Sequence, residues 1–239
     1  MPTPLDVFLA LLIAVGLPLR ALHTKRSLER LPESQHAARR PTLWLRAIAS
    51  QWLLVAAVAA LWVLNERSVV SLGLTARPTA GLLGVLAGVG GIAALLHRQR
   101  GHVGEDPEFR ARVRERLDGA WPILPHTRRE YPGFVPLAIT AGICEEILFR
   151  GFLLWLFALF MPWWAAGLAQ AVLFGVGHAY QGPRGVMLTM FVGFFLTAVV
   201  WVSGSLWPAI VIHALMDLHA GDIAWRVSEG ARAEAAAEV

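Results

Sequence analysis

The chain has 239 residues, 56% of them hydrophobic and only 16% charged, against roughly a quarter charged in soluble domains. Its 21 Lys and Arg residues outnumber 17 Asp and Glu, but they lie between apolar runs, which points to anionic lipid headgroups at the cytoplasmic face rather than nucleic acid as partners. The single cysteine, Cys144, excludes an intramolecular disulfide framework and a CxxC metal site.

Crossing a hydrocarbon layer of about 30 Å takes about 20 mostly apolar residues. In chain order, the expected membrane helices are residues 5–19, 43–64, 79–96, 134–160, 163–178, 185–202 and 206–220. The expected fold is therefore all-α, a polytopic membrane protein with about seven transmembrane helices, six to eight being the range. The apolar stretch 7–19 is preceded by Asp6 and by no basic region, so it reads as a retained short helix and not as a signal peptide. In the third helix, Gly84, Gly88 and Gly91 form a small-residue face suited to helix packing. After it, Phe109, Val113 and Leu117 recur at spacings of four among Arg110, Arg112, Arg114 and Arg116. That pattern fits a helix lying apolar side down on the inner leaflet, and equally a soluble linker helix.

Pro122, Pro125 and Pro132 break the chain before the fourth span. Trp44, Trp163, Trp164 and Trp207 sit near span ends as interfacial anchors. His23, His97, His102 and His126 fall in the links and read as surface residues, and His219 falls at the membrane edge. Three regions result: N-terminal spans with basic linkers (1–131), a core (132–222) and a cytoplasmic tail (223–239). Apart from Arg67, Arg77 and Arg150, every Lys and Arg lies in links 20–46 and 98–129, at Arg184 or in the tail. The positive-inside rule then puts both links and the C-terminus in the cytoplasm and the N-terminus outside, in a multi-pass protein of the cell's inner (plasma) membrane.

An ionisable side chain in hydrocarbon is expensive, so it faces protein or water and usually has a task. The fourth span contains Glu145, Glu146 and Arg150. Glu146 and Arg150 are four apart and can pair along one helix face, while Glu145 is turned by about 100° toward a neighbouring wall. Phe174 and His178 end the fifth span, and His213 and Asp217 form another four-residue pair in the seventh. Three helices thus supply complementary polar groups, and a shared cluster avoids three separate desolvation penalties.

The motifs EExxxR (Glu145, Glu146, Arg150), FxxxH (Phe174, His178) and HxxxD (His213, Asp217) resemble those of the CPBP family of intramembrane glutamic-type proteases. That family includes the CAAX prenyl endopeptidase type 2 and Abi-type proteins associated with bacteriocin self-immunity. The likeness covers about residues 132–220, and the last motif has asparagine as its other accepted form.

The resemblance implies a membrane endopeptidase acting on membrane-embedded or lipid-anchored proteins or on prenylated or precursor peptides. Glu145 would be the base that activates water, and Glu146 with Arg150 an orienting pair. His178 would hold the water or shuttle its proton, and His213 would donate to the oxyanion. Asp217 would fix the His213 tautomer. A zinc ion held by His178, His213 and a glutamate is the metal-dependent version of the same site. A proton-coupled transporter and a non-catalytic scaffold of the same fold are the competing functions, although no internal repeat of interrupted spans is found to support the transporter.

Overall fold

A computed structural model describes residues 1–75 and 80–237; Arg77 and the first residue of the expected third span lie outside them. Among the described residues there is no strand. The helices are α1 (Pro4–Leu11), α2 (Leu17–Glu29), α3 (Glu33–Leu64), α4 (Ala80–Glu105), α5 (Pro107–Arg116), α6 (Tyr131–Glu146), α7 (Leu154–Ala158), α8 (Trp163–Gly177), α9 (Gly182–Ser203) and α10 (Trp207–Ala237). Two π-helical turns, Leu12–Gly16 and Ile147–Leu153, splice α1 to α2 and α6 to α7 without a break. Over their described residues, all seven expected segments are helical apart from a few positions at their ends.

Pro4–Glu29, Ser34–Leu64 and Ala179–Ser203 are each long and apolar enough to cross a membrane, while the apolar Trp163–Gly177 is shorter. Side chains such as Leu53, Leu188, Phe191 and Trp201 are exposed. Such a surface is stable when its solvent is lipid.

Several helices run further than the hydropathy suggests. α10 continues as one helix to Ala237. Its Ile223 and Val227 pack against Phe109, Val113 and Leu117. The amphipathic segment α5 therefore lays its apolar side on protein and not on the leaflet, and its Arg110 pairs with Glu234 at the end of α10.

Two other expectations are corrected. Added Cβ atoms at Gly84, Gly88 and Gly91 would meet nothing within 4 Å, whereas one at Gly81 would collide with the Val202 backbone. Within this chain the close helix contact is thus at Gly81, and the longer glycine face is open. Trp44 is a buried strut, stacked edge-on against Phe134 at 5.7 Å and donating its Nε1–H to Ile123 O at 2.8 Å.

Several basic side chains of the links pair with residues from other links and from α10. Arg40 donates to both carboxylate oxygens of Glu130, at 2.8 and 3.0 Å, to Pro122 O at 3.2 Å, and to His126 Nδ1 at 2.7 Å. Arg100 pairs with Asp222 at 2.8 Å, and Arg184 with Glu115 at 3.1 Å. Arg67 grips the buried Asp6 with two 2.7 Å bonds. Its guanidinium lies 5.0 and 4.6 Å from the ring centroids of Trp62 and Trp155, a cation–π setting that favours a charge at an apolar surface.

His126 is no surface residue. Its Nε2–H donates to Trp121 O at 3.0 Å, which leaves Nδ1 as the acceptor for Arg40. Burial, reinforced by the Arg40 charge, pushes its pKa down to about 4. The folded protein therefore holds this ring neutral, whereas the unfolded chain takes up a proton near 6.5. The resulting stability is fully present above about pH 6.5 and is lost as pH falls toward 4. Thermal denaturation in detergent is expected to show a decline across that window, and His126→Asn, which cannot titrate, is expected to remove that part of the decline.

Candidate active site

Straight spans would place Glu145, His178 and His213 at different depths, and two departures from straight spans bring them level. First, α7 and α8 form a hairpin with nearly equal arms. Glu145 lies about 13 residues before its turn and His178 about 15 residues after α8 starts, roughly 20 Å of rise in each. α8 stops there, with His178 as its C-cap.

Second, α10 starts inside the bundle. Leu206 is fully buried and packs over Gly151, where an added Cβ would meet it at 3.5 Å. Its backbone N–H donates to Gly73 O at 2.9 Å. Ser203 Oγ accepts from Ser205 N at 3.3 Å, and Ser205 Oγ donates to Thr75 O at 2.7 Å. These bonds satisfy irregular backbone that could not face lipid. Gly151 and Leu206 each lie about 10 Å of helix rise from Glu145 and His213.

Close approach of backbones completes the alignment. A Cβ on Gly142 would sit 2.8 Å from Ala214, and one on Gly175 would sit 2.8 Å from Val186 O. Gly142 thus lets α6 and α10 touch one turn from the glutamates, and Gly175 does the same for α8 and α9. Gly177 has only Phe149 at 4.0 Å and is not a contact glycine.

The π turn Ile147–Leu153 begins directly after Glu146 and contains Arg150; such turns recur at functional sites because they widen the helix where side chains must splay. Arg150 Nη1 donates to Glu146 Oε1 at 2.8 Å, and His213 Nδ1 donates to the same oxygen at 2.7 Å. Both members of the ion pair are fully buried. The Arg150 guanidinium also lies 4.0 Å from the Phe174 ring centroid.

Phe174 is central to the packing, with His178 at 4.9 Å and His213 edge-on at 5.8 Å between ring centroids. His178 Nδ1–H donates to Phe174 O at 2.9 Å, so Nε2 is the ring atom left for the site. His213 likewise turns Nε2 inward, because Nδ1 is held by Glu146.

Glu145 Oε2 lies 3.9 Å from His178 Nε2 and 3.9 Å from His213 Nε2. It is buried and, among the described residues, has no hydrogen-bond partner. Asp217 Oδ2 is 3.8 Å from His213 Nε2, too far for a hydrogen bond. The contact that orients His213 is therefore made by Glu146, and Asp217 stands on the solvent-facing side of the cluster with 38% of its side chain exposed, against 15% for Glu145.

Sequence reasoning missed one neighbour. Gln51 of α3 donates its Nε2–H to Glu145 Oε1 at 2.9 Å. A polar residue in the middle of the 43–64 apolar run is the signal that marks it.

These residues offer a proton acceptor, two imidazole nitrogens and a buried ion pair around one small volume. Two donors about 2.0–2.1 Å from a tetrahedral zinc stand roughly 3.4 Å apart, and the 3.9 Å separations exceed that. A water at about 2.8 Å from both atoms of either pair fits a 3.9 Å spacing without movement. Among the described residues, no group of three His, Cys, Asp or Glu side chains has the arrangement of metal ligands.

The fold and this centre define a polytopic α-helical membrane protein with a glutamate–histidine cluster inside its bundle. Residues 128–219 match the family described as Rce1-like, the Type II CAAX prenyl endopeptidases. This segment holds Glu145, Glu146, Arg150, His178, His213 and Asp217, and the match supports the CPBP/CAAX protease family for it. No curated protein and no solved structure matches the chain.

Proposed function

We propose that the protein is an intramembrane endopeptidase in which Glu145 activates a water molecule against a peptide carbonyl. The observation that carries this reading is the buried, unpartnered Glu145 Oε2 facing two imidazole Nε2 atoms at 3.9 Å each. Glu145 takes a proton from water held also by the lone pair of His178 Nε2. The hydroxyl oxygen bonds to the carbonyl carbon, and His213, as an imidazolium donating through Nε2, stabilises the oxyanion. Collapse breaks the C–N bond as the proton held by Glu145 passes to the leaving amine, and the free carboxylate is restored.

The substrate is a membrane-embedded or lipid-anchored protein or a prenylated precursor peptide, the class that the family description implies. An apolar pocket of about 210 Å³ lined by Phe109, Val113, Leu117 and Met216 begins at the residue before Asp217 and can accept an apolar part of such a chain. The basic links face the cytoplasm of a cell that carries the protein in its inner membrane, with the N-terminus outside.

The test uses purified protein in liposomes with an internally quenched farnesylated CAAX peptide, alongside terminal-fragment proteomics of membranes with parental and Glu145→Gln protein. The expected result is a defined cleavage product that is lost in the variant and persists in a chelator. Parental-rate cleavage by the variant would overturn the reading, and cleavage abolished by chelation and restored by zinc would replace the water between the three atoms with a metal-bound one.

A further inference from the structure

Along α3, the buried side chains Arg40, Trp44, Leu54, Val58 and Leu61 recur at helical spacing; Trp44 meets Phe134 of α6, and Leu54, Val58 and Leu61 join the core that holds Leu148 and Phe152. Gln51 falls on this stripe between Trp44 and Leu54, where an apolar residue would pack without a desolvation cost. It spends its one observed hydrogen bond on Glu145 Oε1, at 2.9 Å. Its own Oε1 is buried and, among the described residues, unpartnered. A purely structural amide would not be expected to leave its acceptor orphaned in the bundle.

The bond nevertheless has a geometric consequence. A carboxylate has two oxygens, and the one that Gln51 holds fixes the plane of the group. The other oxygen, Oε2, is then the one presented to His178 and His213. On α6 itself the nearest cation is committed elsewhere, because Arg150 pairs with Glu146. Gln51 is thus the described side chain that hydrogen-bonds Glu145 directly, and it comes from a helix outside residues 128–219.

We infer that Gln51 is a positioning residue for Glu145, a wall of the active site contributed by the N-terminal spans. The inference rests on the endopeptidase reading and adds to it the residue that selects which oxygen receives the proton. A donor freezes the rotation of the carboxyl group; without it the group can turn and Oε2 spends less time in line with the two rings.

Gln51→Leu keeps the packing of the stripe and removes the donor. Two measurements are read together: the infrared band of the Glu145 carboxyl group, isolated as the ¹³C-glutamate difference between parental and Glu145→Gln protein, and the kinetics on the quenched farnesylated CAAX peptide in liposomes. The expected result is a shifted Glu145 band and a kcat lowered by roughly 10–100-fold, the scale of removing a supporting contact, with KM and thermal midpoint near parental values.

An unmoved band would overturn the contact, and a moved band with parental kcat would overturn the positioning role; both leave the endopeptidase reading standing. Parental-rate cleavage by Glu145→Gln would instead overturn that reading and the inference with it. Gln51→Glu supplies a second measure: its cleavage rate relative to parental protein at the same pH is expected to rise as pH falls, because the protonated carboxyl group regains a hydrogen to donate, and a ratio that stays flat would count against the inference.

Discussion

Glu145→Gln is expected to lower kcat by roughly 10²–10⁴-fold, the contribution of a positioned general base, while the protein stays folded. The replacement keeps the side-chain size and an oxygen for Gln51 to bond, so α6 stays seated against α3. Removing a carboxyl group from a buried site also removes a desolvation cost, so the thermal midpoint is expected to hold or rise. Loss of activity with loss of folding would show that Glu145 serves the bundle rather than the chemistry. Rates from initial velocities, paired with a melting curve of the same sample, separate these outcomes.

The second large effect is expected at the ion pair, and it falls on stability. Arg150 and Glu146 have no exposed side-chain surface, so Arg150→Met takes the guanidinium from a buried carboxylate and leaves it the His213 Nδ1 contact. Breaking a buried pair from one side costs about 3–5 kcal/mol. Adding Glu146→Gln removes the remaining charge and is expected to return most of that loss, since an amide oxygen can still accept from His213 Nδ1. Unfolding in mixed detergent micelles, run on the two single variants and the double variant, measures the coupling. If the two losses simply add, the pair is not a unit.

The membrane fold was legible in the sequence because hydropathy and charge are summed over long windows. Seven apolar runs survive small errors at their ends, and eighteen-residue windows such as those within Ser34–Leu64 need no partner to be recognised. The polar residues of α6, α8 and α10 were legible for the opposite reason: Glu145, His178 and His213 stand out where charge is costly.

What the sequence did not disclose depends on contacts between distant segments. The start of α10 beneath the bundle end is set by Leu206 against Gly151 and by serine bonds to the loop before α4, none of which has a local pattern. Asp217, four residues from His213, was expected from the family resemblance to make the orienting bond; Glu146, 67 residues away in sequence, holds that ring. His126 looks like a link histidine until Arg40 is folded against it. Gln51 was visible as a polar residue in an apolar run, but only its packing against α6 discloses the partner.

The placement of Glu146 and Arg150 four residues apart on one helix bears on how such a protein can be made. Opposite charges on consecutive turns enter the bilayer as a nearly neutral unit, so the insertion machinery does not handle either one bare. α3 is synthesised long before them and α10 well after. A nascent chain therefore carries its glutamates without His213 and Asp217 until the final helix docks, so the polar cluster is complete only in the finished protein.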